Sequence, residues 1–403
     1  MSTNVFLVAG ARTPMCEYES GRRGDGKPGG LLAGLSALDL GALAATEAIK
    51  RSGLAPADID QAIFGNALQT SNDAIYGARH VALKAGVPNH VPALTVNRIC
   101  GSGIQSIVSG AEQILLGRAT TVLAGGMESM SQAPHVMHGL RGGLRLGQGK
   151  LEDLLMAALL DPYCGFYMAQ TAENIAKRME ISRQDQDEYA VRSQKAAEAA
   201  YQKNLFKDEI VPVEVKQGRN SLVVDQDDHM RFGTTMDDLA KLPAAFSKDG
   251  SVTAGNASGI VDGGAAVVLA SEEVVKAKGL KPLARIVNWS FVGVEPEVMG
   301  MGPVPAIQDL LKRENLKIGD IDLFEINEAF AAQYLGVERG LGLDRNKVNV
   351  NGGAIALGHP LGATGTRITL TLALELIRRG AKRGISSACI GGGQGIALLI
   401  EAV

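Results

Sequence analysis

Cysteine is scarce in this chain: four residues in 403, at positions 16, 100, 164 and 389. That is too few for a disulfide framework, and they read as reduced thiols of an intracellular, by default cytoplasmic, protein. An excess of charge is also missing. Lys and Arg total 40 against 43 Asp and Glu, a net charge of -3, which excludes a generally basic nucleic-acid binder. No run reaches about 18 consecutive apolar residues, so no membrane span is expected. The opening residues enter an apolar, strand-like run without the cationic start of a secretory signal, so no export is expected either. Of six histidines only His135 and His138 stand close together, without Cys or carboxylates at zinc spacing. They read as surface residues, and no metal site is expected. The glycine-rich segment around His359 holds neither a Walker Gly-Lys-Ser/Thr nor a Gly-x-Gly-x-x-Gly, which leaves little support for a phosphate-cradling loop there.

Glycine, by contrast, is abundant. Fifty of 403 is about 12%, against a usual level of about 7%, and without a Gly-X-Y period these residues must serve turns and close backbone approaches. The chain also repeats itself. Lys50-Arg-Ser-Gly-Leu-Ala-Pro-Ala-Asp-Ile-Asp60 returns as Lys312-Arg-Glu-Asn-Leu-Lys-Ile-Gly-Asp-Ile-Asp322, six identities in eleven at an offset of 262. In both copies an amphipathic helix (40–51 and 306–313) ends, a polar turn follows and an apolar strand begins. Further on, Cys100-Gly-Ser-Gly103 opens a helix that leads to the strand 121–124. Gly358-His-Pro-Leu-Gly-Ala-Thr-Gly365 opens one that leads to the strand 384–390. Alternating strands and helices predict an α/β fold with a largely parallel sheet in each half.

Residues 1–130 form the expected first half and 260–403 the second. Residues 131–259 read as an inserted loop domain, with a basic, glycine-rich loop at 139–149 and helices over 170–178 and 182–202. Ser182 is the expected N-cap of the last helix, with Asp185 in its first turn. Two duplicated halves facing each other about a pseudo-twofold axis would bring Cys100 and His359 close together.

Cys100 sits where a strand meets a helix, and unpaired N–H groups at a helix start should lower its pKa. The glycines beside it let a substrate carbonyl approach the backbone. The bland alternative, a buried structural cysteine, is outweighed by this context, whereas Cys16 and Cys164 lack any partner motif and read as structural. His359, between Gly358 and Pro360, belongs to a turn; hydrogen-bonded loop capping is its plain alternative. Cys389 ends an apolar strand before Ile390-Gly-Gly-Gly393, whose bare N–H groups suit an oxyanion. Asn327, in Asn327-Glu-Ala-Phe330, follows a strand and suggests a site rather than core.

These segments together resemble the thiolase family along essentially the whole chain. The anchors are Ala11-Arg-Thr-Pro14, Asn97-Arg-Ile-Cys-Gly-Ser-Gly103, Gly125-Gly-Met-Glu-Ser-Met130, Asn327-Glu-Ala-Phe330, the glycine-rich 352–365 segment and Cys389-Ile-Gly-Gly-Gly393. Ser71–Tyr76, Val252–Ser258 and Met299–Pro303 look closest to the degradative 3-ketoacyl-CoA thiolases, and the chain is also similar to acetyl-CoA acetyltransferases. The resemblance implies a five-layer α/β/α/β/α body with a loop domain over the site. It implies reversible CoA-dependent cleavage of 3-ketoacyl-CoA, or condensation of two acetyl-CoA, through an acyl-cysteine intermediate. Cys100 would be the nucleophile and His359 its activator, with Asn327 holding a water in the first oxyanion site. Cys389 would be the acid/base, and the N–H groups of Cys100 and Gly391 the second oxyanion hole. Arg231 matches a position near the nucleotide; Met168, Phe246, Ala254, Ser258, Met299, Ala329 and Phe330 match the pantetheine channel. Tyr167 and Asp238 depart from residues common among biosynthetic relatives. Arg141, Arg145 and Lys150 read as phosphate attractors, subunit contacts or solvated charges. CoA is then substrate and product rather than a bound cofactor, and the partners are CoA thioesters and further copies of the chain, as a dimer or tetramer. The rival readings are a non-catalytic acyl-CoA or lipid carrier, which should have lost a reactive residue, and a decarboxylating 3-ketoacyl synthase, which needs a histidine where Asn327 stands.

Overall fold

A computed structural model describes residues 4–19, 29–147, 149–218 and 220–403. Residues 1–3 of the expected opening run and Gln148 of the basic loop lie outside the described residues. The first half comprises β1 (Val5–Arg12), α1 (Ala37–Ser52), β2 (Gln61–Gly65), α2 (Gly77–Lys84), β3 (Ala93–Val96), α3 (Ser102–Leu115) and β4 (Thr121–Glu128). An insertion carrying α4 (Met168–Arg178) and α5 (Arg183–Gln202) follows, and β5 (Val261–Ser271) comes after it. The second half comprises β6 (Ala284–Gly293), α6 (Pro303–Arg313), β7 (Leu323–Ile326), α7 (Ala331–Leu341), α8 (Leu361–Arg379), β8 (Arg383–Ile390) and β9 (Gln394–Ala402).

The repeated sequence does the same work twice. Asp60 accepts the N–H groups of Thr120 and Thr121 through Oδ2, and Asp322 accepts those of Lys382 and Arg383. Each aspartate therefore ties the start of β2 or β7 to the start of β4 or β8, at the same offset of 262. Asp58 and Asp320 likewise accept from the backbone N–H three residues before them, closing the polar turn. Ser182 caps α5 with Asp185 completing a capping box, as its sequence position implies.

The strands run in the order β7-β8-β9-β6-β1-β5-β4-β2-β3. Read outward from the β6–β1 junction, the two halves repeat one order. The junction itself is short and antiparallel: Val5, Phe6 and Leu7 face Ile286, Arg285 and Ala284. Because β5 pairs with β1 and β4, residues 261–271 complete the first half's sheet rather than opening the second. The expected largely parallel sheet gives way to a mixed one. Only β2 with β3, β2 with β4, and β7 with β8 are parallel. The reason is connection length: β8 reaches β9 through a three-residue turn, which can join only antiparallel neighbours.

Five layers result, as the resemblance implies. α3 and α8 pack on each other between the two half-sheets, α1 and α2 cover the first from outside, and α6 and α7 cover the second. The middle layer buries Ile104, Ile107, Val108, Ile368, Leu370 and Leu372 against strands of both halves. Such packing needs the two central helices to touch at their starts, and glycine permits it. A Cβ on Gly103 would lie 2.4 Å from the Thr366 nitrogen, and one on Gly365 would lie 2.3 Å from the Ile104 nitrogen. Gly103 and Gly365 are themselves 262 residues apart, so the contact is self-complementary across the pseudo-twofold axis.

Gly103→Ala should therefore overpack the central layer and cost about 1–3 kcal/mol. Gly319→Ala, which meets nothing within 4 Å, should stay within about 0.5 kcal/mol of the parent. Urea midpoints of the two variants check this, and equal midpoints would show that the helix starts can separate freely.

Candidate active site

The central helices deliver two loops to one place. Cys100 lies in the turn Ile99–Gly101 that leads into α3. Ile99 adopts φ 46°, a strained conformation for a β-branched residue. Side chains hold it there. Ile99 N donates to Asn97 Oδ1 at 2.9 Å, Arg98 N donates to Ser102 Oγ at 2.8 Å, and that hydroxyl donates to Ile99 O at 2.7 Å. Gly101 packs against Ile390, where a Cβ would lie 2.6 Å from its Cδ1. The tip of the first half thus rests on the end of β8.

His359 occupies the corresponding approach to α8, after Gly358, whose φ of 93° and closeness to Val261 exclude a side chain. The imidazole is buried and its tautomer is fixed. Thr364 Oγ1 donates to Pro360 O at 3.0 Å, so across its 2.6 Å contact it accepts the hydrogen bond of Nδ1–H. Nε2 is the bare nitrogen, and Asn327 Nδ2 stands 3.3 Å from it. Asn327 is buried as well, and its Oδ1 has no hydrogen-bond partner among the described residues. Cys389 closes β8 with no exposed surface, packed among Met299 and Ala329. Beyond it the chain turns so that the Gly391 N–H meets the Cys100 sulfur.

Electrostatics departs from the simple helix-start argument. Burial pushes the Cys100 thiol up to about 11, against hydrogen bonds from the N–H groups of Gly391 and of Cys100 itself, with the Glu128 charge adding to the rise. The lowered pKa expected at the helix start is thereby corrected. The rise from about 9 is worth roughly 3 kcal/mol, whereas a helix terminus supplies at most about 2 kcal/mol. Burial wins. It also raises Cys389, with the nearby Cys100 sulfur contributing, and lowers His359 to about 3, helped by the charge of Arg367. At neutral pH the reactive groups are two thiols and an imidazole, all uncharged.

Cys100 and His359 border a cavity of about 410 Å³, whereas Cys389 and Asn327 are buried just behind its lining. Cys100, His359 and Gly391 line it, with Met168, Phe246, Ser258, Met299, Ala329 and Phe330 from the expected channel set. Two expected members are not brought there. Ala254 is exposed outside the lining, and Arg231 turns away to pair with Glu17 at 2.8 Å while donating to the carbonyls of residues 228–230. Tyr167 lines the cavity, but Asp238 instead caps the short helix Met236–Ala240 through Thr235. Arg141 and Arg145 are exposed, Lys150 pairs with Glu152, and His138 sits 3.1 Å from the same carboxylate. Cys16 is buried and Cys164 half-buried, and neither is in a disulfide. Sequence reasoning missed the wall formed by Met130, Met156, Leu159, Leu160, Ile260 and Leu361. It also missed Thr364, although Thr364 lies five residues after His359, one turn into the helix.

Two family models cover nearly the whole chain: "Thiolase, N-terminal domain" over residues 5–273 and "Thiolase, C-terminal domain" over residues 280–402. The chain is 52% identical over 398 residues to the human "3-ketoacyl-CoA thiolase, mitochondrial", with 98% of each covered. It is 47% identical over 404 residues to an "Acetyl-CoA acetyltransferase" of Shinella zoogloeoides, with 100% of each covered. The crystal structure of the human mitochondrial 3-ketoacyl-CoA thiolase in complex with CoA superposes with a TM-score of 0.94 at 51% identity, covering 100% of this chain and 98% of that one.

The raised thiol has a direct consequence. Alkylation of Cys100 by iodoacetamide, followed by peptide mass, should still be accelerating beyond pH 9. A plateau near pH 7 would show that the helix start, not burial, governs the sulfur.

Proposed function

The chain belongs to the thiolase family, and from that premise we propose that it cleaves 3-ketoacyl-CoA with CoA, reversibly, into acetyl-CoA and a shortened acyl-CoA. The supporting observation is the meeting of Cys100, from one half, with the Gly391 N–H and His359 from the other.

In the first half-reaction the Cys100 thiol gives its proton to His359 Nε2, and the sulfur attacks the 3-keto carbon. The C2–C3 bond breaks and its electron pair stays on C2 as the enolate of acetyl-CoA. Cys389 protonates C2 and becomes a thiolate. In the second half-reaction the incoming CoA thiol returns a proton to Cys389 and attacks the acyl carbon on Cys100. Collapse expels the Cys100 sulfur, which recovers its proton from His359. Every group ends as it began, so the cycle runs in either direction and condenses two acetyl-CoA in reverse.

The enolate is the costly species. Its oxygen is assigned to the N–H groups of Cys100 and Gly391, fixed donors that are worth about 3 kcal/mol each in such sites. The oxygen of the keto or thioester carbonyl whose carbon is attacked by sulfur is assigned to His359 and a water on Asn327. Neutral partners suit this chemistry, because charge then appears only when substrate has excluded water and the donors are aimed at it. Met168, Phe246, Ser258, Met299, Ala329 and Phe330 are assigned to the pantetheine arm. Arg231 would reach a nucleotide phosphate only by leaving Glu17. No helix among the described residues is long and apolar enough to cross a membrane. The cytoplasm is the proposed compartment, in keeping with four cysteines of which none is in a disulfide, and a homodimer or homotetramer the proposed assembly.

With purified enzyme and acetoacetyl-CoA but no free CoA, mass spectrometry should find an acetyl group on Cys100, and Cys100→Ala should abolish thiolysis. CoA esters that bind without acylating Cys100 would instead identify a non-catalytic carrier. Thr364→Val removes the acceptor that fixes the imidazole and should lower kcat about 10- to 100-fold, the value of one strong hydrogen bond, while Thr364→Ser keeps it. Equal rates for Val and Ser would mean that the tautomer is set elsewhere.

A further inference from the structure

The 262-residue offset that relates the halves also relates their active-site loops, and the two positions are filled differently. Cys100 corresponds to Gly362, and Glu128, at the end of β4, corresponds to Ile390, at the end of β8. On one side of the axis the Cys100 sulfur meets the backbone just beyond β8. On the other, the Gly362 N–H donates to Glu128 Oε2 at 2.9 Å.

Glu128 has no exposed surface and no ion-pair partner among the described residues. Four donors from two separate segments converge on it. Oε1 accepts from Asn66 Nδ2 at 2.8 Å and Leu68 N at 3.0 Å, and Oε2 accepts from Ala67 N at 3.1 Å and from Gly362 N. The 66–68 loop belongs to the first half. Gly362 lies in the first turn of α8, three residues after His359 and two before Thr364. One carboxylate therefore fastens the base-bearing end of the second half to the first half, beside the nucleophile.

We propose that Glu128 is a positioning residue of this active site, holding the start of α8 so that His359 keeps its place relative to Cys100. The proposal rests on the reading of Cys100 as nucleophile and names a group that reading does not use. A core fastening alone would not require a charge here, since burying an unpaired carboxylate is costly. Burial pushes Glu128 up to about 7, against the N–H groups of Leu68, Gly362 and Ala67, with Asp262 adding to the rise. The titratable groups that face it are Asp262, itself hydrogen-bonded by Ser131, and Cys100.

Glu128→Gln and Glu128→Asp test this, with steady-state thiolysis and the pH profile of Cys100 alkylation measured on each. Expected for both is a kcat loss of about 10- to 100-fold, the scale of a displacement near 1 Å, with the KM for CoA unchanged. Only the Gln variant, which removes the charge, should shift the alkylation midpoint to lower pH. Unchanged kcat in both, or a loss matched by a fall in folded protein with the midpoint unmoved, would reduce Glu128 to a structural carboxylate. If Glu128→Gln does not fold, Asn66→Ala, which takes one donor from the same carboxylate, should lower kcat at constant KM, and an undiminished kcat there overturns the proposal. Alkylation needs no turnover, so a failure of the acyl-cysteine reading would appear separately, as absence of acetyl on Cys100.

Discussion

The site depends on one close approach: the starts of α3 and α8 touch backbone to backbone where Gly103 faces Thr366 and Gly365 faces Ile104. No other residue type permits it, because a Cβ at either position would lie under 2.5 Å from a main-chain nitrogen. Everything reactive is measured from that crossing. Cys100 is three residues before Gly103, and His359 is six before Gly365. Further glycines carry the approach outward. A Cβ at Gly126 would lie 1.9 Å from Gly362 O, and one at Gly65 would lie 2.6 Å from Ser102 Cβ. Part of the surplus of glycine thus serves close backbone packing around the crossing, and part serves left-handed turns such as Gly53, Gly342 and Gly380.

Burying the crossing has an electrostatic consequence. A helix start favours a thiolate, but the middle layer of a five-layer body removes water from both sulfurs and from the imidazole at once. Desolvation outweighs the two N–H donors on Cys100. Resting neutrality protects the thiols and leaves proton transfer to occur between adjoining groups. Arg367, one turn beyond Thr364 on α8, adds its charge to the same outcome at His359.

Much of this was legible in the sequence because duplication leaves a countable trace. The offset between Asp60 and Asp322 foretold the nearness of Cys100 to His359, and the shared strand ties of the two aspartates fall at the same spacing. Sheet direction was less legible, because alternating strands and helices do not say where β5 and β9 return; a three-residue turn decides it for β9. The pKa of Cys100 was misjudged for a related reason: a local motif shows the helix start, whereas burial is set by layers assembled from distant segments. Arg231 shows the same limit, since its pairing with Glu17 spans 214 residues. Thr364 could have been found by asking what a buried imidazole's second nitrogen must meet.

The duplication also explains why there is one site rather than two. Ser102 and Thr364 are equivalent positions, and each hydroxyl donates to a carbonyl at a helix start, Ile99 O or Pro360 O. They diverge in what they accept: Ser102 takes the Arg98 N–H, while Thr364 takes the imidazole of His359. At the position equivalent to His359 stands Asn97, whose side chain is spent on the strained Ile99 backbone. A second nucleophile is sterically barred, because a Cβ at Gly362 would lie 2.5 Å from Met127 O and 2.8 Å from Gly65 O. With no room for a thiol there, the vacated half of the pseudo-symmetric pair can be crossed by a carboxylate. The same contact that excludes a second sulfur thus lets Glu128 reach the backbone of α8, so the loss of symmetry and the rigidity of the remaining site have one cause.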